Sequence, residues 1–281
     1  TAAERGHAVT LFEAGPEIGG QFNIAKKIPG KEEFHETLRY FRRQLDLQGV
    51  DLRLNTPATP EMLEQGGYDE IVVASGIAPR RPPIEGIDHP KTLGYLDVLR
   101  DGKPVGANVA IIGAGGIGFD TAEYLAHQGV SASLDPTKFY AEWGVDTDYA
   151  RAGGVSAPQP EPSARRIHLL QRKKSRVGDG LGKTTGWIHR TALKARGVGM
   201  SSSVDYRRID DAGLHIAIDG VEKTLPVDNV IICAGQEPLR DLADALEARG
   251  RKVHVIGGAR EAAELDAKRA IHQGVTLAAA M

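Results

Sequence analysis

The chain has 281 residues, a length that accommodates two domains with substantial hydrophobic cores. Its 35 basic and 37 acidic residues leave a formal net charge of −2, so no basic field favours nucleic acid or an anionic membrane as a partner. The single cysteine, Cys233, excludes an internal disulfide and a cysteine-only metal or iron–sulfur site, and is expected to be a small core residue. No apolar run reaches the length of a membrane span. A cytoplasmic location is therefore expected.

The first residues are typical of the end of a helix. Residues 1–7 include Gly6, which suits the position just after a helix C-terminus, and an alternating strand at 8–13 follows at once. Helix followed by strand is the second half of a βαβ unit. A strand and a turn are therefore expected before Thr1, which predicts a chain truncated at its N-terminus.

Short α/β elements continue through the first hundred residues. The pattern predicts a glycine-rich turn at 14–21, an amphipathic helix at 31–47, a strand at 50–54 and a buried strand at 68–76. Residues 79–107 are rich in proline and glycine, which is typical of a crossing between domains.

A second nucleotide-type unit opens at residue 108. Its predicted elements are a strand at 108–112, a glycine turn at 113–118, a helix at 119–128 and a surface insertion at about 131–163. The sheet is then expected to resume at 166–171, 214–218 and 230–235, before a last strand at 253–258 and a terminal helix at about 261–279.

The glycine turn predicts a dinucleotide site. In Gly113-x-Gly115-x-x-Gly118 the first glycine permits the tight turn, the second lets the backbone approach a pyrophosphate, and the third allows close helix–strand packing. Gly116 and Ile117 open the helix, whose N-terminal N–H groups attract phosphates.

The residues after strand 166–171 favour NADPH over NADH. An NAD site usually has an acid there for the ribose 2′-hydroxyl, whereas this strand leads into Arg172 and Lys173, whose positive charges suit a 2′-phosphate. A solvated basic turn is the alternative interpretation.

A flavin site is expected in the other unit. Glu13 ends a strand, as the acid of a dinucleotide fold does, and Gly19-Gly20-Gln21 offers bare backbone and an amide beyond it. The other candidate FAD contacts are Ala58 toward adenine, the strand-ending Gly76, and the N–H groups of Gly257 and Gly258.

Four sequence runs closely resemble the bacterial NADPH-dependent 2,4-dienoyl-CoA reductases. They are residues 19–26, 28–32, 113–120 and 181–190, and residues 264–267 continue the match. The resemblance spans essentially the whole chain but only the C-terminal part of that enzyme. Ala259-Arg260 departs from the small-residue–Asp pair of some relatives, which puts a polar ribityl contact in doubt.

The resemblance implies a larger flavoprotein. Its members carry an N-terminal barrel with FMN, a 4Fe-4S cluster and the acyl-CoA site, and NADPH reduces FAD in the C-terminal part. It places Glu13, Gln21, Lys31 and Ala58 at FAD, Arg172-Lys173 at NADP, and Arg176 and Trp187 at the acyl-CoA substrate or its carrier. From the residues alone, a solvated basic loop that Trp187 anchors is the favoured interpretation of 172–190.

The sequence therefore predicts two Rossmann-like α/β domains, the NADP(H) domain inserted into an N-terminally truncated FAD domain. The predicted bounds are 1–100 and 236–281 for FAD and 101–235 for NADP(H). No catalytic side chain is predicted, because the cofactors do the chemistry. No metal site is predicted, because the nine histidines do not have the spacing of metal ligands. The alternatives are a nucleotide-binding scaffold of an amine dehydrogenase type and a stand-alone NADPH:acceptor oxidoreductase.

Overall fold

The computed structural model describes residues 1–262 and 267–281. In chain order the strands are β1 (Thr10–Phe12), β2 (Asp51–Arg53), β3 (Val72–Val73), β4 (Ile77–Pro79), β5 (Thr92–Gly94), β6 (Asn108–Ile112), β7 (Arg166–Leu170), β8 (Gly199–Ser201), β9 (Val204–Asp210), β10 (Gly213–Ile218), β11 (Val221–Leu225), β12 (Asn229–Ile232), β13 (Gln236–Pro238) and β14 (His254–Val255). The helices are α1 (Phe22–Ala25), α2 (Phe34–Leu47), α3 (Pro60–Gln65), α4 (Tyr95–Leu99), α5 (Gly116–Ala126), α6 (Pro136–Trp143), α7 (Gly186–Ala195), α8 (Asp241–Ala248), α9 (Gly257–Arg260) and α10 (Ala267–Ala280).

Two compact units share these elements. The first unit comprises residues 1–22, 34–80 and 236–281. The second unit comprises residues 23–33 and 81–235.

The bounds of these units differ from the predicted domain bounds in two places. Residues 81–100 belong to the second unit because β5 pairs in parallel with β12, and Tyr95 and Leu99 of α4 are buried in the core of that unit. Residues 23–33 also belong to it, since Ile28, with an exposed fraction of 1%, lies in the same core. Both segments therefore belong to the second unit because they bury apolar side chains against residues that are distant in sequence.

A five-stranded parallel sheet organises the second unit. Its strand order is β5-β12-β6-β7-β8, and residues 109–112 of β6 are almost fully buried, as strands covered on both faces require. The chain runs outward from β6 through β7 to β8 on one side, while β12 lies on the other. The strand order thus reverses at β6, which is the point where doubly wound sheets bind nucleotides.

A separate three-stranded antiparallel sheet, β11-β10-β9, corrects the prediction for residues 214–218. That strand does not continue the parallel sheet; it forms β10, which is paired on both sides by its sequence neighbours. Asp219 and Gly220, with φ angles of 49° and 82°, make the tight turn between β10 and β11. Local hairpin pairing therefore prevails over joining the parallel sheet.

The first unit contains three strand pairs around a small apolar core. β1 and β2 are parallel, β3 and β14 are parallel, and β4 and β13 are antiparallel. The core comprises Leu63, Ile71, Val73, Ala243 and Leu246. The predicted strand at 68–76 is ordered as a ladder only at Val72–Val73, because only those residues have a partner in β14.

The segment predicted as an irregular insertion, 131–163, contains a helix. The Asp135 side chain caps the N-terminus of α6 by accepting hydrogen bonds from the Thr137 and Lys138 N–H groups. Gly144, with a φ of 67°, ends the helix. These are strong start and stop signals. The predicted terminal helix, at about 261–279, includes residues 263–266, which lie outside the described residues along with most of the matching run 264–267; its described helical part is α10.

Candidate functional site

The glycine turn lies between β6 and α5, at the carboxyl end of the central strand. Gly113 has a φ of 109° and its N–H donates to the Leu170 carbonyl at 2.9 Å. A Cβ at Gly113 would overlap the main chain of Cys233, at the end of β12, and a Cβ at Gly118 would overlap the Gly113 carbonyl oxygen. Gly113 and Gly118 are therefore required by backbone packing.

The middle of the same turn is open. A Cβ at Gly115 or Gly116 would meet no atom within 4 Å, and both glycines are exposed. Gly115 has extended backbone and precedes the eleven-residue helix α5, whose first N–H groups have no partner within the helix. This bare, partially positive surface fits the pyrophosphate of a dinucleotide.

The basic turn follows β7, at the same edge of the sheet. Ile112 at the end of β6 is in register with Leu170 at the end of β7, so the two strands deliver their following loops side by side. Arg172 and Lys173 are both exposed. Burial raises the pKa of the Tyr206 phenol, and the nearby positive charge of Arg172 opposes that shift, which places Arg172 beside β9.

Cys233 adjoins the turn without being a reactive group. Its sulfur lies 3.6 Å from the Thr121 hydroxyl, and burial raises the pKa of the thiol to about 12. A thiol with so high a pKa holds almost no thiolate near neutral pH, and the thiolate is the nucleophile. The interpretation of Cys233 as a core residue agrees with these surroundings.

Lys31, a predicted FAD contact, forms an ion pair with a carboxylate inside the second unit, to which both residues belong. Its Nζ lies 2.6 Å and 2.7 Å from the two oxygens of Asp120, in the second turn of α5. Lys27 adds a hydrogen bond of 2.7 Å from Nζ to the Leu99 carbonyl. The partner Asp120 was not identified from the sequence, because nothing local in the sequence links residues 89 positions apart.

Three of the predicted flavin contacts lie on loops near β1 and β2 in the first unit. The Gly15 N–H donates to Glu13 Oε1 at 2.7 Å, and the Thr56 N–H donates to the Glu13 carbonyl at 2.9 Å. These bonds bring Glu13 close to the segment that leads to Ala58, which packs at the edge of the core. Gln21 is exposed and follows two glycines with positive φ.

The predicted flavin contacts Gly76 and Gly258 are in direct contact with each other. A Cβ at Gly258 would come within 3.1 Å of the Gly76 carbonyl carbon and 2.8 Å of the Ile77 side chain. The N–H of Gly257, however, donates to Gln273 Oε1 of α10 at 2.7 Å. That N–H is therefore bound to a side-chain acceptor in this structure.

The residues predicted to contact the acyl-CoA substrate lie on the surface of the second unit. Trp187, with an exposed fraction of 54%, makes an edge-on contact with Trp143, and its indole N–H donates to the Thr184 carbonyl at 3.0 Å. Arg176 is exposed, and the following loop is braced by Arg190, which donates to the Gly178 carbonyl at 3.0 Å.

Two classes of feature are not found in the part of the chain that is described. Across residues 1–262 and 267–281, no three His, Cys, Asp or Glu side chains are grouped so as to hold a metal ion. Over the same residues, no helix is both long enough and apolar enough to cross a membrane.

Comparison with known proteins gives consistent matches over the whole chain. A metal reductase of Desulforamulus reducens is 28% identical over 269 residues, which cover 92% of this chain and 38% of the relative. The structure of 2-naphthoyl-CoA reductase in complex with 2-naphthoyl-CoA is 28% identical with a TM-score of 0.82, and covers 100% of this chain and 37% of that one.

Histamine dehydrogenase from Rhizobium sp. 4-9 shares the fold, with a TM-score of 0.75 at 17% identity over 99% of this chain and 40% of that one. The chain thus spans about two fifths of the length of the relatives that it matches. A family model described as pyridine nucleotide-disulphide oxidoreductase matches residues 1–260. With its glycine turn at the sheet's reversal point, the chain belongs to the pyridine nucleotide-disulphide oxidoreductase family and is a flavin-dependent NAD(P)H oxidoreductase module.

Proposed function

We propose that this chain transfers a hydride from NADPH to FAD within a larger flavoprotein that reduces 2,4-dienoyl-CoA esters in unsaturated fatty acid β-oxidation. The observation that carries the NADPH assignment is the pair Arg172 and Lys173, exposed at the end of β7 beside the open glycine turn. Two cations at this place bind a 2′-phosphate by charge-assisted hydrogen bonds and offer no acceptor for a ribose diol.

The glycine turn supports binding of the pyrophosphate part of NADPH. Gly115 and Gly116 leave room for phosphate oxygens, and the main-chain N–H groups at the start of α5 donate to them. When bound, NADPH would supply a hydride for FAD, and the chain's own residues would hold and orient the two cofactors. Cys233 takes no part, because a single buried thiol cannot form a redox disulfide within the chain.

For FAD we propose the contacts predicted from the sequence, with Glu13 of the first unit toward the adenosine ribose. The Glu13 side chain is half-buried at the end of β1, and one of its oxygens is fixed by the Gly15 N–H. The remaining candidates are Gln21, Lys31, Ala58, Gly76, Gly257 and Gly258. Lys31 and Gly257 are the weaker members, since Asp120 and Gln273 already bind their donors.

An acyl-CoA thioester is proposed as the final substrate, with Arg176 and Trp187 at the substrate or its carrier. An exposed guanidinium and an exposed indole suit the phosphates and the adenine of coenzyme A. The likeness to 2-naphthoyl-CoA reductase supports this class of substrate. FMN and a 4Fe-4S cluster in a further barrel domain would complete the electron path, as the resemblance to dienoyl-CoA reductases implies.

The second candidate is a nucleotide-binding scaffold in an amine-oxidising flavoprotein. The fold shared with histamine dehydrogenase favours it. Against it stand Arg172 and Lys173, since a scaffold has no need to select a 2′-phosphate. A stand-alone NADPH:acceptor oxidoreductase, the third candidate, would pass the electrons to a soluble acceptor.

Turnover by the full-length protein that contains this chain tests the proposal. With NADPH and an anaerobic supply of 2,4-dienoyl-CoA, we expect loss of the dienoyl absorbance and equimolar oxidation of NADPH. Histamine and related amines should give no flavin reduction. Amine oxidation without NADPH consumption would refute the proposal in favour of the scaffold. NADPH oxidation that soluble acceptors support and dienoyl-CoA does not would favour the stand-alone oxidoreductase.

A further inference from the structure

The residue between β7 and the basic turn, Gln171, is buried although its side chain is polar. Its exposed fraction is 9%, whereas Arg172 and Lys173 immediately after it are exposed. A buried amide is expected to be fully hydrogen-bonded, so its partners reveal what it holds in place. Those partners all lie in the turn that follows it.

The Gln171 amide binds the turn from the inside. Its Nε2 donates to the Ser175 carbonyl at 2.5 Å and to the Lys173 carbonyl at 3.2 Å, with the Ser175 hydroxyl a further 3.4 Å contact. An amide nitrogen carries two hydrogens, so these two carbonyls use its donor capacity completely. The orientation of the amide is also fixed, because a flipped amide would set its own oxygen against two carbonyl oxygens.

The main chain around the turn is held by the neighbouring strands. The Gln171 N–H donates to the Ser201 carbonyl at 2.9 Å, and the Val204 N–H donates to the Gln171 carbonyl at 3.1 Å. The Lys173 carbonyl also accepts a hydrogen bond from the Ser203 N–H at 3.0 Å. Ser203 has a positive φ of 58°. The path of residues 171–175 is thus determined by one buried side chain and by the link between β8 and β9.

Gln171 occupies the position at the strand end where NAD-binding folds usually have an acid. A glutamate of the same length would bring a carboxylate, which has no hydrogen to donate, against the Lys173 and Ser175 carbonyls. The arrangement that shapes this turn is therefore incompatible with the acid of an NAD site. Shaping the basic turn and excluding the acid are properties of one side chain.

We propose that Gln171 is a positioning residue that selects NADPH over NADH, by holding the turn that presents Arg172 and Lys173 to the 2′-phosphate. This inference rests on the proposed NADPH site. Gln171 itself does not touch the nucleotide; it acts through the backbone carbonyls of Lys173 and Ser175. Loss of its amide removes this donor from the Ser175 carbonyl and leaves the Lys173 carbonyl with only the Ser203 N–H, so the turn can depart from its phosphate-binding shape.

Binding of the oxidised nucleotides tests the inference without any electron transfer. Calorimetric titration of the full-length protein with NADP⁺ and with NAD⁺ gives an affinity ratio, which general damage to the fold would leave unchanged. For Gln171→Met, which keeps the length and removes the donor, NADP⁺ affinity should fall about tenfold while NAD⁺ affinity changes less than about twofold. Gln171→Glu should lose at least as much, because it adds a negative charge near the phosphate.

Ser175→Ala is the matched control, because it removes only the 3.4 Å hydroxyl contact with Gln171 and keeps the main-chain carbonyl. The ratio of NADP⁺ to NAD⁺ affinity of this variant should equal that of the unmodified protein. If Gln171→Met does not fold, Gln171→Asn gives the same readout, because its amide is one methylene too short to reach the turn. An unchanged ratio, or an equal loss for both nucleotides, overturns the positioning role. Equal binding of NADP⁺ and NAD⁺ by the unmodified protein overturns the NADPH assignment together with this inference.

Discussion

Gly118→Ala is expected to lower the free energy of unfolding by about 3 kcal/mol and to abolish dinucleotide binding. The added Cβ would overlap the carbonyl oxygen of Gly113, and it would also approach the Leu169 side chain at 3.5 Å. Because the first neighbour is main chain of the tight turn, no side-chain rotation relieves the overlap. Helix α5 must then move away from β6, and the turn loses the shape that faces the pyrophosphate.

Gly116→Ala is the matched control for Gly118→Ala. It lies in the same helix, two residues earlier, and its Cβ would meet no atom within 4 Å. Alanine favours helix over glycine by about 1 kcal/mol, so stability should stay the same or rise. Thermal and denaturant unfolding of both variants give the comparison. Equal stabilities for the two variants would contradict the account of α5 packed against the glycine turn.

Replacing both Arg172 and Lys173 with alanine is expected to raise the Michaelis constant for NADPH about a hundredfold and to leave that for NADH nearly unchanged. Each exposed charge-assisted bond to a phosphate contributes about 1.5 kcal/mol, and two contribute about 3 kcal/mol. NADH has no 2′-phosphate, so it loses nothing when the cations are removed. Steady-state kinetics of the full-length protein with both nucleotides gives the two constants.

Arg39→Ala with Arg42→Ala controls for the loss of two positive charges. Both arginines are exposed on α2 of the first unit, where they pair with acids of their own helix. The double variant should bind NADPH and NADH as the unmodified protein does, since exposed ion pairs contribute little. If instead Arg172→Ala with Lys173→Ala raised both Michaelis constants equally, the two cations would serve general nucleotide attraction and not recognition of the 2′-phosphate.

Local sequence signals predicted the strands and the glycine turn of the candidate nicotinamide site well. The strand at 108–112 is β6, and the glycines that follow have the packing constraints that the motif implies at Gly113 and Gly118. The strand at 166–171 is β7 with one residue fewer. These features depend on backbone conformation and on residues close in sequence, which is why composition and spacing are enough to find them.

Long-range contacts were not predictable in the same way. The ion pair of Lys31 with Asp120, the burial of Ile28 in the second unit and the pairing of β5 with β12 join residues far apart in the chain. Because tight turns connect β10 to β9 and to β11, these three strands form an antiparallel sheet. The apolar pattern at 214–218 suited the parallel sheet equally well. Alternation of apolar residues predicts a strand but does not name its partner.

The flavin half shows the same limit at single residues. Glu13 directly follows β1, as the sequence predicted, whereas Gly76 lies between β3 and β4 and does not end a strand; hydrogen bonds hold both loops. The engagement of the Gly257 N–H by Gln273 depends on a helix sixteen residues further along the chain. A glycine pair before a helix predicts available N–H groups, but a neighbouring side chain decides whether they remain available.

Rapid mixing of the FAD-loaded full-length protein with reduced nucleotide, followed by the bleaching of the flavin absorbance, tests the central claim most directly. Under anaerobic conditions and at equal low concentrations, we expect NADPH to bleach the flavin about a hundredfold faster than NADH, because Arg172 and Lys173 raise the affinity for NADPH alone. Equal bleaching rates with the two nucleotides, or no bleaching with either, would contradict the assignment of this chain as the NADPH-to-FAD module.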